Sequence, residues 1–247
     1  MRQFGLIGFP LIHSFSKKYF TEKFENEQID AAYDLYELTQ IEEFSALINR
    51  LELSGLNVTI PYKEQVISFL DILDDTAEKI GAVNVIKFIR SNNQLILKGY
   101  NSDALGFEQS LKPYLKPYHK KALILGTGGA SKAIKYVLGK LGIEVTFVSR
   151  TPKLGQLTYS DLNQVIMQDN LIIINASPVG TFPHVDECPA IPYEFIAEKH
   201  LLFDVVYNPA ITIFLKKGVQ QGATTLNGEQ MLQGQALAAW EIWNDLI

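Results

Sequence analysis

The chain alternates short apolar runs of period two with longer stretches of period near 3.6, the pattern of strands followed by helices. Phe4–Gly8 reads as a first strand, and Phe20 and Phe24 share one face of a helix over Ser16–Asn26. Ala32–Glu37 reads as a second strand. Thr39, with Glu42 three residues on, has the spacing of a capping box before a helix carrying Phe44, Leu47, Ile48 and Leu51. Gly55–Ile60 is a third strand stopped by Pro61, Ile67–Ile80 has helical spacing, and Ala82–Arg90 with Gln94–Tyr100 forms a hairpin across Ser91 to Asn93. The alternation resumes with strands Lys121–Leu125, Val145–Ser149, Leu171–Asn175 and Leu201–Val206, a helix around Ile213–Gly218 and a short strand near Thr224–Leu226. A last helix, Gln230–Leu246, sets Met231, Leu232, Ala236, Ala239, Trp240 and Trp243 at helical spacing, and its tryptophans read as core. The pattern predicts an α/β protein of two lobes, with the crossing near Tyr100–Gly106.

Between the strand ending at Leu125 and the helix after it lies Gly126-Thr-Gly-Gly-Ala-Ser131. Glycines permit a tight turn and close approach of an anion, and the helix start offers unpaired N–H groups. With the next strand this makes a strand–turn–helix–strand unit able to hold a dinucleotide. The third glycine of G-x-G-x-x-G is Ser131 here, still small enough for close packing.

With 247 residues and 47% apolar content, the chain can bury a sizeable core, and its net charge of −5 argues against nucleic acid as a partner. Its one cysteine, Cys188, reads as a packed thiol and fits a reducing cytoplasm. Apolar runs fall well short of the roughly 18 residues of a membrane span. His13, His119, His184 and His200 are scattered, so no metal site is expected.

Candidate chemistry gathers after strands. Asn57 and Thr59 alternate along the third strand and point to one face, with Lys63 just past its carboxyl end. That is where open α/β sheets bind ligands; the alternative is a solvated surface lysine. Asp103, in Gly99-Tyr-Asn-Ser-Asp103, either caps a helix or pairs with Lys63 to relay a proton to or from an alcohol. Ser14 and Ser16 either cap the next helix or bind an anion at its start. Asn175-Ala176-Ser177 follows a strand of the second lobe, and Tyr207 lies past another.

Taken together, these segments resemble the shikimate dehydrogenase family. The likeness runs through G-x-P-x-x-H-S-x-S at Gly8–Ser16, N-V-T-I-P-Y-K at Asn57–Lys63, G-A-V-N at Gly81–Asn84 and N-S-D-x-x-G at Asn101–Gly106. It continues through G-T-G-G-A-S at Gly126–Ser131, S-R-T at Ser149–Thr151, N-A-S-P-V-G at Asn175–Gly180, D-V-V-Y-N-P at Asp204–Pro209 and M-L-x-G-Q-A at Met231–Ala236. It implies an N-terminal substrate-binding domain over 1–101, completed by a C-terminal helix over 228–247, and a Rossmann-like NADP-binding domain over 102–227. It implies NADP-dependent interconversion of 3-dehydroshikimate and shikimate in aromatic amino-acid biosynthesis, by a cytoplasmic monomer or homodimer. By position, Lys63 and Asp103 would be the catalytic pair. Ser14, Ser16, Asn57, Thr59, Asn84, Tyr207 and Gln235 would join them around the substrate. Gly126, Thr127, Gly128, Gly129, Ala130, Ser131, Ser149, Arg150, Thr151, Asn175, Ala176, Ser177, Val205, Gly228 and Met231 would line the cofactor.

Two departures stand out. Lys17 replaces the proline usual after the second serine, and the segment from Arg150 to Leu171 is short where the family places a full helix. The adenosine end is then either more open or rebuilt by Lys153. A quinate/shikimate dehydrogenase using NAD or both cofactors is the nearest alternative. A non-catalytic NADPH sensor is a remote one, because Lys63 and Asp103 are both present.

Overall fold

A computed structural model describes residues 1–11, 14–92 and 94–246. His13 of the first motif and Asn93 of the expected hairpin turn lie outside the described residues. The chain divides into two compact units, Met1–Ser102 with Gln235–Ile247, and Asp103–Gly234.

The first unit contains β1 (Arg2–Gly8), α1 (Phe15–Asn26), β2 (Ala31–Glu37), α2 (Glu43–Arg50), β3 (Leu53–Val58), β4 (Ile72–Leu73), α3 (Asp75–Ile80), β5 (Val85–Ser91) and β6 (Gln94–Tyr100). Its mixed sheet has the order β2-β1-β3-β5-β6-β4. β1 pairs in parallel with both β2 and β3, so the order reverses there, while β5 runs antiparallel to β3 and β6. One face packs Ile7, Phe44, Leu47, Leu56, Val58 and Ile86 into a core. The other face packs Phe4, Phe20, Phe24, Tyr33 and Trp243. Trp243 belongs to α8 (Glu229–Trp243), whose second half returns to this unit. Its indole N–H donates to the Ile86 carbonyl at 3.1 Å.

Two expected elements are corrected. Ile67–Ile80 is not one helix: a 3-10 turn over Gln65–Phe69 leads into β4 and then α3. Asp71 breaks the helix by joining the sheet. Its N–H donates to the Leu97 carbonyl, and its carboxylate accepts the Leu97 N–H at 2.7 Å. Asp74 then caps α3, accepting from the Thr76 and Ala77 amides. The capping box at Thr39 does not form either. Thr39 donates to the Glu43 carboxylate at 2.5 Å, and α2 starts without a side-chain cap.

The second unit holds α4 (Ser102–Leu111), which begins at the boundary, then β7 (Lys121–Leu125), α5 (Gly129–Lys140), β8 (Glu144–Val148), α6 (Gln164–Asp169), β9 (Ile172–Asn175), β10 (Leu201–Asp204), α7 (Ile213–Gln220) and β11 (Thr224–Leu226). All pairs in its sheet are parallel, in the order β11-β10-β9-β7-β8. The short segment after Arg150 runs back along β8, where Leu157 forms a single parallel bridge to Val148. Counting that bridge as a third strand restores the 3-2-1-4-5-6 order of dinucleotide-binding sheets, which reverses between β7 and β9. Apolar side chains such as Leu123, Ile173, Leu202 and Phe214 form the core.

Candidate active site

In each unit several expected residues lie near the carboxyl ends of the strands where the sheet order reverses. In the first unit that point is β1 beside β3. Thr59 N–H donates to the Ile7 carbonyl and Phe9 N–H to the Ile60 carbonyl, which ties the two strand ends together. A side chain at Gly8 would collide with the Thr59 methyl, so the close approach requires glycine. Lys63 follows, half-buried, with its carbonyl accepting the Val83 N–H at 2.7 Å.

Beside it runs a chain of neutral polar groups. Tyr33 is buried, and its hydroxyl donates to Asn57 Oδ1 at 2.7 Å. Burial raises the phenol pKa, opposed by a hydrogen bond from Ser16. Asn57 Nδ2 donates to the Asn84 carbonyl at 3.3 Å. Asn84 Nδ2 donates to Ser102 Oγ at 3.0 Å and to Gln235 Oε1 at 3.4 Å, while its Oδ1 accepts the Ser102 N–H at 2.7 Å. The structure thus brings Ser16, Asn57, Asn84 and Gln235 together around groups that both donate and accept. Ser14 caps α1, its hydroxyl accepting the Lys17 N–H at 3.2 Å.

Asp103 belongs to the second unit and is buried. It is the second residue of α4 and not its cap, so its charge lies in the favourable first turn of the helix. Tyr207, also of this unit, is exposed on the loop after β10.

The glycine turn sits at the second reversal. Gly126 has φ +107 and its N–H donates to the Val148 carbonyl at 2.9 Å. A Cβ there would come within 3.2 Å of Ser177, so the turn and the loop after β9 are packed together. Gly128 starts α5 with no side-chain cap, and a Cβ at Gly128 would meet nothing within 4 Å. The space at the start of this 12-residue helix is therefore open. Ser131 is turned away from it, its hydroxyl donating to the Gly128 carbonyl at 2.6 Å. Val205 and Gly228 meet directly: any side chain at Gly228 would collide with the Val205 carbonyl. Met231 is buried in the first turn of α8. Ser149 directly follows β8, its hydroxyl accepting the Thr151 N–H, and Arg150 and Thr151 are exposed beside it.

Two residues that sequence reasoning did not single out hold these positions: Tyr33 and Ser102. Tyr33 reads as an ordinary aromatic of a strand, and nothing in its spacing distinguishes it. Among the described residues no cluster of metal-ligating side chains occurs, and no helix is long and apolar enough to cross a membrane.

Comparison with known proteins adds the following. A family profile described as shikimate dehydrogenase substrate binding domain matches residues 6–86. A shikimate dehydrogenase (NADP(+)) of Methanosphaera stadtmanae is 35% identical, over 97% of this chain and 90% of the relative. The crystal structure of shikimate dehydrogenase from Aquifex aeolicus superposes with a TM-score of 0.86 at 33% identity, covering 99% of this chain and 93% of that one. A shikimate 5-dehydrogenase of Thermus thermophilus, solved with NADP(H) and shikimate, gives 0.85 at 29% identity, covering 100% and 95%.

Proposed function

The chain belongs to the shikimate dehydrogenase family, and on that premise we propose that it interconverts 3-dehydroshikimate and shikimate with NADP, in aromatic amino-acid biosynthesis. The observation that carries the reading is the polar chain Tyr33–Asn57–Asn84–Gln235 beside Lys63. A ring acid with several hydroxyls requires neutral groups that donate and accept at once, and amides and hydroxyls do both.

The first unit is the substrate-binding domain and the second the NADP-binding domain. Ser14 and Ser16 hold the substrate carboxylate with Tyr207, Thr59, Asn84, Asp103 and Gln235 hold the ring hydroxyls, and Asn57 lines the substrate beside them. The open N-terminus of α5, behind the Gly126 turn, suits the cofactor pyrophosphate, since its amides and dipole favour an anion. Arg150 meets the 2′-phosphate. NADP, when bound, supplies the hydride chemistry at the alcohol carbon. Lys63 and Asp103 form the acid–base pair, taking the alcohol proton on oxidation and returning it on reduction. The enzyme acts in the cytoplasm as a monomer or homodimer.

The decisive assay mixes the protein with shikimate and NADP+ and follows absorbance at about 340 nm, the band of the reduced nicotinamide. Parallel reactions with quinate and with NAD+ separate the nearest alternatives. No turnover with shikimate and NADP+ would sink the reading.

A further inference from the structure

Asp204 ends β10 with no exposed surface. Its carboxylate accepts three hydrogen bonds, all from neutral donors: Asn175 Nδ2 at 2.9 Å, the Val206 N–H at 3.0 Å and the Thr212 hydroxyl at 2.6 Å. Burial without a cation pushes this carboxyl up to about 6. Such a group is costly to keep for stability alone. What it gains is geometry, because each donor comes from a different segment. Asn175 ends β9, Val206 lies two residues past β10, and Thr212 caps α7.

The tether extends one step further. Asn175 Oδ1 accepts both the N–H of Ser177 at 3.2 Å and its hydroxyl at 2.6 Å, and Asn175 Nδ2 also reaches the Val179 carbonyl at 3.1 Å. Ser177 is the residue packed against Gly126. One carboxylate therefore fixes both the loop facing the glycine turn and the start of the loop whose Val205 carbonyl meets Gly228.

We propose that Asp204 is a positioning residue of the cofactor site: it holds the Asn175–Ser177 loop and the Val205–Val206 turn in the shape that receives the dinucleotide, without touching it. The inference rests on the second unit being the NADP-binding domain. Asparagine at 204 keeps one oxygen for Asn175 and Val206, but its nitrogen can only donate, so the Thr212 hydroxyl proton loses the acceptor it has at 2.6 Å.

The test is Asp204→Asn, with NADPH affinity measured by fluorescence titration of the full-length protein, alongside kcat and the unfolding midpoint. The expected result is a Kd for NADPH raised about tenfold, with kcat at saturation within about threefold of the parent. Unchanged NADPH affinity in the folded variant, or a loss confined to kcat, would overturn the proposal. If Asp204→Asn shows no cooperative unfolding, Thr212→Val removes one donor to the same carboxylate, and unchanged NADPH affinity there overturns it equally. A parent that does not bind NADPH sinks the functional reading and this inference with it. A parent that binds, beside a folded variant that binds equally, sinks the inference alone.

Discussion

Tyr33 and Asn57 are joined by a 2.7 Å hydrogen bond from the phenol to the amide oxygen. Tyr33 also stacks on Phe20, with ring centroids 4.8 Å apart. The aromatic core thus aims a polar side chain of β3. Tyr33→Phe keeps the stack and deletes only the hydroxyl. It should raise the KM for shikimate about tenfold, the weight of one hydrogen bond, and leave the KM for NADP where it was. A shikimate KM equal to the parent's would show that Asn57 needs no such support.

Ser14 caps α1, and the substrate contact proposed for it is a second duty that substitution can separate. Alanine at a cap costs about 0.5–2 kcal/mol where glycine costs a few tenths. Ser14→Ala and Ser14→Gly should both weaken shikimate binding by about 10- to 150-fold, the range of one charge-assisted hydrogen bond. Only the alanine variant should lower the unfolding midpoint appreciably. If binding loss tracked the midpoint instead, the serine would be a cap and nothing more.

Lys63→Ala should lower kcat by about 10²–10⁴-fold, the usual range for a general acid–base group. The half-buried stem is anchored by its backbone to Val83, so the fold should survive. Steady-state turnover within a few-fold of the parent would remove Lys63 from the chemistry.

The proposed role of Arg150 makes cofactor choice a test: it follows Ser149, just past β8, where an NAD site would carry Asp or Glu. A guanidinium holds a phosphate with two parallel bonds, about 1.5–3 kcal/mol, or roughly 10- to 150-fold in preference. Arg150→Ala should erase most of the NADP preference while the rate with NAD stays nearly unchanged. The ratio of kcat/KM for the two cofactors, parent against variant, is the measurement, and an unaltered ratio rules the residue out.

His119 predicts a pH dependence of stability. Its Nδ1 accepts the Lys116 N–H at 3.0 Å, and burial, with nearby positive charge, holds its pKa below the ordinary 6.5. The native state resists a proton that the unfolded chain accepts. This contribution is therefore whole above pH 6.5 and is lost as the pH falls below it. Asp204, raised to about 6, acts in the opposite sense, losing its contribution as pH rises through that value. The difference in urea midpoint between the parent and His119→Gln cancels Asp204. That difference should shrink on acidification; a constant difference would contradict the assignment.

The order of strands and helices is legible because periods of two and 3.6 are physical consequences of backbone geometry. The glycine turn is legible because few residues other than glycine accept the φ of Gly126. Ile67–Ile80 misleads because its apolar spacing suits a helix equally well. The competitor that wins is the pairing of Asp71 with Leu97, a contact 26 residues away that no local pattern encodes. Thr39 misleads for the opposite reason, since a local motif is present but the threonine finds a carboxylate one residue further on. The roles of Tyr33 and Asp204 stay hidden because they lie in which neighbours the fold delivers to each.

Gly55 lies on the same strand as Asn57, beneath the Trp243 indole, and any side chain there would drive into that ring. The ring cannot retreat without giving up its bond to the Ile86 carbonyl. In a saturation-mutagenesis map, position 55 would therefore score as intolerant as Lys63, for an unrelated reason. With Lys63 as the proposed acid–base group, its substitution would leave an abundant but idle enzyme, whereas one at Gly55 would lower the yield of folded protein. Reading yield beside activity separates the two kinds of essential position, and guards against mistaking a packing constraint for a place where catalysis happens.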